Sequence, residues 1–369
     1  MITIKDLSLV ANVLHVYNDF EPEKGGGGVA RHIAGLAEML ATQGVRVRVV
    51  AKLVDSNAGG GAYQVERAGW RQCWRHVVWA DIVHVHGARK PYAALAAFLA
   101  VLFGRRLIYT PHCYYDEDGG TLKNLAKRLW DATGERWLLR QSNAVILLSE
   151  HWLQYLAARR LPVTHPVIIP NCVLGRDVDG RRLPRGGKLR GTPALLSVGR
   201  LDPVKRLDDA VRALTRPSLS DAVLHIVGRG PDRVRLAALA DQLNVGARVQ
   251  FYGFAGDADV ARLAAGADVF VMPSAAEGMP TVLIEMTLMG LPVVASDIPG
   301  NRAILDLLGL DVLFPVGDVP RMAERITAAA AMPLSEMVER IVRDNFTWER
   351  TAHRIAALYL EPKQMEGAA

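Results

Sequence analysis

Glu277 and Glu285 bracket the run Gly278-Met279-Pro280-Thr281-Val282-Leu283-Ile284, and carboxylates at that spacing can do chemistry together. A carboxylate accepts hydrogen bonds from hydroxyl groups. A helix beginning beside Pro280 presents a first turn of N–H groups with no intrahelical acceptor, and such a turn holds anions. Proline suits the start of that turn because its missing N–H would be unsatisfied there anyway. Gly278 lets a ligand come close to the backbone. The amides of Gly278, Met279 and Thr281 are the expected donors, since Pro280 has none to offer. An anion site with a carboxylate on each side suits a molecule that is part phosphate and part polyol, which describes a nucleotide sugar.

Strands must hold that segment in place. Residues 268–273 read as a buried strand running into a loop, and residues 291–296 as the next strand, after a helix ending near Gly290. Strand, loop, helix and strand make a parallel crossover unit, with ligands at the carboxyl ends of the strands, where Glu277 lies. A further strand, 194–198, precedes Arg200 and Lys205. A guanidinium and an ammonium on one loop can neutralise a diphosphate, although on spacing alone solvated surface charge is the better reading. In the first half, strands are expected at 9–16, 45–51, 82–86, 107–110, 144–149 and 167–169, with a glycine loop at 25–28 and a helix at 29–42. Residues 176–191 are rich in Gly, Pro, Arg and Asp without apolar period, and read as a linker. The expected organisation is an α/β chain of two Rossmann-like domains, residues 1–175 and 192–345, with a last helix over 346–362.

The motifs together resemble retaining GT-B glycosyltransferases of glycosyltransferase family four. Glu277-x7-Glu285 resembles the family's signature. Ser197-Val198-Gly199-Arg200-Leu201-Asp202-Pro203-Val204-Lys205 resembles its glycine–arginine loop with a downstream lysine. Leu224-His225-Ile226-Val227-Gly228-Arg229-Gly230-Pro231 and Val249-Gln250-Phe251-Tyr252-Gly253-Phe254 resemble its next two strand ends, and Gly27-Gly28-Val29-Ala30-Arg31-His32 its first loop and helix. The resemblance implies two domains facing a central cleft, with the last helix packing back on the N-terminal one. It implies that Arg200 and Lys205 bind the donor diphosphate and that Glu285 takes the ribose hydroxyls. Glu277 and His112 would lie beside the donor sugar. Tyr252 and Gly253 would meet the base, and Gly27 and Gly28 the donor phosphates or sugar. Gly278, Met279, Pro280 and Thr281 would line the sugar or phosphate. No metal and no cofactor is implied. The donor is a UDP- or GDP-hexose, and the acceptor a saccharide or a polyprenyl- or other lipid-linked saccharide in cell-surface glycan synthesis.

Composition agrees with that class. The chain has 369 residues, long enough for two cores, and half are hydrophobic, as buried parallel sheets require. No apolar run approaches the roughly 18 residues of a membrane span, so residues 93–103 read as a core helix. Asp6, Asn12 and Asp19 interrupt the apolar stretch that a signal peptide needs. Cys73, Cys113 and Cys172 lack metal or redox spacing and fit small core residues in a reducing cytoplasm. A net charge of +6 suits an anionic partner. Nucleic acid is not expected, for want of a recognisable motif. Lys123, Lys127, Arg128, Arg136 and Arg140 interleave with Leu125, Leu129, Trp130, Trp137, Leu138 and Leu139, diluted by Asp131 and Glu135. That stretch reads either as an ordinary amphipathic surface helix or as an interfacial one on an anionic membrane. The second reading places the protein peripherally on the inner face of the cell membrane.

Other patterns in the chain leave this reading in place. Asp177-Val178-Asp179 and Asp257-Ala258-Asp259 form D-x-D pairs but read as solvated loop carboxylates. Gly25-x-Gly27-x-x-Ala30 matches a dinucleotide fingerprint, yet the second strand is expected to end at Lys52 without the acidic ribose partner. His84 and His86 alternate along one strand and so share a face, with His86 nearer the strand end on the acceptor side. A nucleotide-sugar epimerase of the same architecture and a non-catalytic binding subunit are the alternatives.

Overall fold

The computed structural model describes residues 11–21, 27–54, 61–114, 121–175, 179 and 187–361. The chain divides into two units, Met1–Asn171 with Trp348–Ala369, and Cys172–Thr347. Most of the expected linker, residues 176–178 and 180–186, lies outside the described residues.

The first unit carries seven strands: β1 (Asn12–Phe20), β2 (Arg46–Val54), β3 (Gln64–Arg67), β4 (Ile82–His86), β5 (Arg106–Thr110), β6 (Ala144–Leu147) and β7 (Pro166–Ile168). They are ordered β3-β2-β1-β4-β5-β6-β7 with parallel neighbours. The order reverses between β1 and β4, which opens a crevice at their carboxyl ends. β4 is buried along its whole length because helices cover both faces of such a sheet. The helix Gly27–Thr42 buries Ile33, Leu36, Ala37 and Leu40 at helical spacing.

The second unit repeats the plan with β8 (Ala194–Val198), β9 (Val223–Val227), β10 (Val249–Gly253), β11 (Val269–Met272), β12 (Val293–Ser296) and β13 (Leu313–Phe314). Their order is β10-β9-β8-β11-β12-β13, again parallel, with the reversal between β8 and β11. Leu195, Ile226, Val271 and Val294 from the sheet pack with Met322 and Ile326 from the helix Val319–Ala330.

Several elements depart from the sequence reading. The N-terminal helix starts at Gly27, so Gly27 and Gly28 form its first turn rather than a loop; Gly25 and Gly26 lie outside the described residues. β2 continues to Val54, so Lys52 is not its end and the argument against a dinucleotide built on Lys52 fails. β3 was not foreseen, because an edge strand of Gln64, Val65, Glu66 and Arg67 has no apolar pattern. The helix Pro91–Leu102 is core on one face only: Tyr92, Ala93, Ala96 and Ala100 are buried, while Phe98 and Leu102 are exposed. The last helix runs Trp348–Leu360, inside the expected 346–362, while Phe346 ends a separate helix, Glu336–Phe346, with Thr347 between the two. Thr347 is extended, and its Oγ1 donates to Arg343 O at 2.6 Å.

The basic stretch is likewise broken. A helix Thr121–Trp130 passes through a π-helical turn, Asp131–Glu135, into a helix Arg136–Gln141. The two acids do not dilute surface charge. Glu135 is fully buried, and Asp131 holds Arg89 through bonds of 2.8 and 2.7 Å.

Candidate functional site

In the second unit the carboxyl ends of three strands are laced by backbone bonds. Gly199 N donates to Val227 O at 2.9 Å, Leu201 N to Arg229 O at 2.9 Å, and Gly228 N to Gly253 O at 2.7 Å. The approach is so close that a Cβ on Gly228 would lie 1.8 Å from Gly199 O, and one on Gly230 2.0 Å from Leu201 O. Only glycine permits that contact. Beyond β8 the chain turns through a 3₁₀ helix, Pro203–Lys205, whose cap is Asp202. Arg206 follows in the left-handed region at φ 49° and is clamped to Asp209 by bonds of 2.7 and 3.0 Å. This fixes the loop that presents Arg200 and Lys205. The Arg200 side chain is 71% exposed, 3.5 Å from Asp202.

Lys205 and Glu277 meet. Lys205 Nζ donates to Glu277 Oε1 at 2.6 Å, and Ser274 Oγ donates to the same oxygen at 2.6 Å. Ala275 N donates to Val204 O at 2.7 Å, so the two loops are also tied through backbone. Glu277 is nearly buried, and Gly300 backs it: a Cβ there would fall 2.4 Å from Glu277 O. Asn301, on the same helix Pro299–Leu305, donates to Ser296 O at 2.8 Å, and Ser296 Oγ donates to Ser274 O at 2.5 Å. Ser274, Gly300 and Asn301 were missed by sequence reasoning. The Pro299-Gly300 pair, with two residues between it and the end of β12, was the available sign of a tight helix start.

The helix expected at Pro280 begins at Thr281 and runs to Leu288, with Pro280 as the residue before its first turn. Met279, Thr281 and Glu285 are buried, and Gly278 is half-buried. Thr281 and Glu285 lie one turn apart and share a helix face. At the end of β10, Tyr252 is partly exposed and Gly253 is left-handed at φ 71°. His225 Nε2 lies 2.9 Å from Arg190 O and must donate to it, so its Nδ1 accepts from the Tyr252 hydroxyl at 2.9 Å. The D-x-D pairs are otherwise occupied. Asp179 pairs with Arg343, and Asp257 and Asp259 stand in the first turn of the helix Asp257–Gly266, where acids complement the dipole. Asp177 lies outside the described residues.

His112 belongs to the first unit, where it follows β5 in the left-handed region at φ 64°. It joins a cluster of buried imidazoles. His15 Nδ1 is 3.0 Å from His86 Nε2, and His86 Nδ1 is 3.1 Å from His112 Nε2. His84 stacks on His86 with centroids 4.0 Å apart, and His32 meets His112 edge-on at 4.7 Å. Burial depresses every one of them: His15 to about 3, His32 to about 4, and His84, His86 and His112 well below the usual histidine value. All are therefore neutral near pH 7. His84 and His86 do share a face, but they face inward against this cluster. Elsewhere in the first unit, Glu135 Oε1 accepts from Tyr109 and Tyr114 at 2.6 Å each, while burial pushes its carboxyl up. Cys73 and Cys172 are buried, whereas Cys113 is only half-buried.

Two family models match the chain in succession: Glycosyltransferase Family 4 over residues 26–173 and Glycosyl transferases group 1 over residues 183–348. A 2-deoxystreptamine N-acetyl-D-glucosaminyltransferase of Streptomyces fradiae is 28% identical over 71% of this chain and 68% of its own. A phosphatidyl-myo-inositol mannosyltransferase of Mycobacterium leprae is 28% identical over 82% of this chain and 83% of its own. Among solved structures, a sucrose-phosphate synthase of Thermosynechococcus elongatus superposes with TM-score 0.76 at 21% identity, over 94% of this chain and 98% of that one. Anabaena HepE, in complex with UDP-glucose, superposes with TM-score 0.71 at 16% identity, over 94% and 98%. With matching models over both halves and the doubled parallel sheet, the chain belongs to glycosyltransferase family four and is a glycosyltransferase of the GT-B fold.

Proposed function

We propose that this enzyme moves a hexose from a UDP- or GDP-sugar to a saccharide or lipid-linked saccharide, with retention at the anomeric carbon, in cell-surface glycan synthesis. The observation that carries the reading is the Lys205–Glu277 pair, 2.6 Å apart, beside the start of the helix that bears Glu285. An ammonium has three donors. One is committed to Glu277, and the others are available to the diphosphate. Glu277 keeps its second oxygen for a sugar hydroxyl, and Glu285 serves the ribose. As the sugar leaves, negative charge grows on the diphosphate, and positive groups held in advance by the loop lower that barrier. The anomeric carbon loses its bond to the phosphate oxygen and gains one to the acceptor oxygen on the same face. The acceptor proton passes to the departing phosphate. The UDP-glucose in the HepE complex supports uridine over guanosine.

A lipid-linked acceptor and an anionic membrane surface are part of the proposal. Leu122, Leu125 and Leu129 lie exposed on one face of the helix Thr121–Trp130, with Lys127 and Arg128 beside them. Exposed leucines next to basic side chains suit the headgroup region. The name of the mycobacterial relative, a phosphatidyl-myo-inositol mannosyltransferase, supports the same direction. Among the described residues no helix is long and apolar enough to cross a membrane, so the contact proposed is peripheral, on the inner leaflet.

A thermal-shift titration with UDP, GDP, ADP and their hexose conjugates tests the donor, since a ligand of the native state raises the melting temperature. Selective stabilisation by UDP-hexoses, followed by an α-linked product from an α-linked donor, is expected. A freely isomerised nucleotide sugar would restore the epimerase alternative, and no shift from any nucleotide would remove the donor assignment.

A further inference from the structure

We infer that the first unit holds a histidine-only site for a zinc-class divalent cation, ligated by His32, His86 and His112. One ring nitrogen from each of the three lies within 4.8 Å of the others, and all three side chains are buried. His86 Nδ1 and His112 Nε2 are 3.1 Å apart. Two nitrogens on one tetrahedral zinc, each at about 2.0–2.1 Å, stand at a similar separation.

Hydrogen bonds alone leave this cluster unsatisfied. A neutral imidazole has one N–H and one lone pair. The chain His15–His86–His112 can therefore run in either direction, and each direction strands a buried N–H at one end. His15 Nε2 and His112 Nδ1, the two ends, have no partner among the described residues, and neither does His32 Nε2. An orphaned buried polar atom is uncommon, and the one that offers its lone pair to a cation here is His32 Nε2. His32 is already set up as a ligand. Its Nδ1 faces Asn171 Oδ1 at 2.8 Å and donates to it, which leaves the unpartnered lone pair on Nε2. Ligating histidines commonly donate their second N–H to a carbonyl in this way.

A second trio, His15, His84 and His86, is equally close-set but worse suited. Both nitrogens of His84 are engaged, Nδ1 with the Tyr359 hydroxyl and Nε2 with Thr110 Oγ1, each at 2.7 Å. Ligation there would sacrifice one of those bonds. Three neutral nitrogens without a carboxylate select zinc, cobalt, nickel or copper over magnesium and calcium. Burial supplies the neutral form that ligation needs, with His32 held down at about 4. The site is independent of the donor contacts in the second unit, although it shares His112 with the transfer reading.

The test is titration of the metal-stripped full chain with cobalt(II), read by its visible ligand-field bands, and with zinc against a competing chelator. One ion per chain and the intense bands of a low-coordinate site are expected. His32→Gln should lower affinity more than about 100-fold, and Asn171→Ala about 10- to 100-fold, through loss of the bond that orients His32. His353→Gln, outside the cluster, should change nothing. Circular dichroism confirms that each variant is folded, and His32→Gln decides should His86 variants fail to fold. Stoichiometric binding indifferent to His32→Gln, or no tight ion at all in folded wild-type chain, overturns the site. Neither result touches the donor assignment, which is read from nucleotide-dependent stabilisation.

Discussion

The two units share a strand order and differ in what they place at its carboxyl edge. In the second unit that edge is charged and reachable: Lys205 on Glu277, Arg200 exposed, and a helix start beside them. In the first unit the corresponding edge is packed with neutral imidazoles from β1, β4 and the segment after β5. A parallel sheet whose order reverses opens a crevice whatever its sequence. The side chains placed there decide its use. One unit presents charge complementary to a diphosphate, and the other presents buried hydrogen-bonding rings.

Removing the charge should give the largest effect. Arg200→Ala with Lys205→Ala is expected to reduce kcat by more than about 1,000-fold, since one preorganised donor contributes about 100- to 1,000-fold. Arg200 is mostly exposed and its ion pair weak, and Glu277 keeps Ser274 as a donor when Lys205 is lost, so the fold should survive at reduced stability. Steady-state kinetics with circular dichroism checks this, and retained transfer in folded protein would dissolve the contrast between the units.

Acid should separate the units next. A histidine held below its unfolded value stabilises the fold above about pH 6.5, and that contribution is lost as pH falls, because the unfolded chain takes the proton first. His15 and His32 set windows from about 6.5 down to about 3 and about 4 respectively. At one pH unit below the unfolded value the two together cost about 3 kcal/mol. The second unit has a single histidine, His225, buried and likewise lowered by desolvation, against the five of the cluster in the first. Urea unfolding at pH 7.5 and 5.5, with proteolysis mapping, should find the first unit failing first. Equal loss in both would contradict the neutral cluster.

Gly300→Ala probes the second unit from behind. Its Cβ would fall 2.4 Å from Glu277 O, so the loop must shift, at a cost of about 1–3 kcal/mol. Expected is a drop in kcat with the melting temperature lowered by a few degrees. Unchanged turnover would mean that the position of Glu277 does not matter. Glu285→Ala should weaken donor binding by about 10- to 100-fold, the range for a hydrogen bond to a charged group. Isothermal titration with UDP-hexose measures it, and unaltered affinity would remove Glu285 from the site.

Much of this arrangement was legible in the chain, for identifiable reasons. Buried parallel strands are short apolar runs, so β4, β8 and β11 stood out, and turn glycines marked where they end. β3 did not, because an edge strand need not be apolar. The π-helical turn at Asp131–Glu135 depends on a buried carboxylate finding Tyr109 and Tyr114, which lie outside its own segment. The types and loops of Arg200, Lys205, Glu277 and Glu285 were visible, but the bond between Lys205 and Glu277 spans 72 positions and exists only after folding. The histidines were visible singly. Their convergence needed the register that sets His15 beside His84.

The smallest expected effect concerns the acidic pairs. Asp257→Asn with Asp259→Asn should alter stability by no more than about 1 kcal/mol, the scale of an acid in a first helical turn and of an exposed ion pair. Asp259 meets Arg262 at 3.0 Å with both side chains more than half exposed. Adding magnesium or manganese to the metal-stripped chain should not raise the transfer rate, and the double variant should match the wild type in either buffer. The comparison of the units turns on that result. If Lys205 and Arg200 supply the positive charge the leaving diphosphate needs, a cation on Asp257 and Asp259 has no work to do. A rate restored by manganese in the wild type but not in the double variant would move the charge from the loop after β8 to the loop after β10, and the Lys205–Glu277 pair would become structural support.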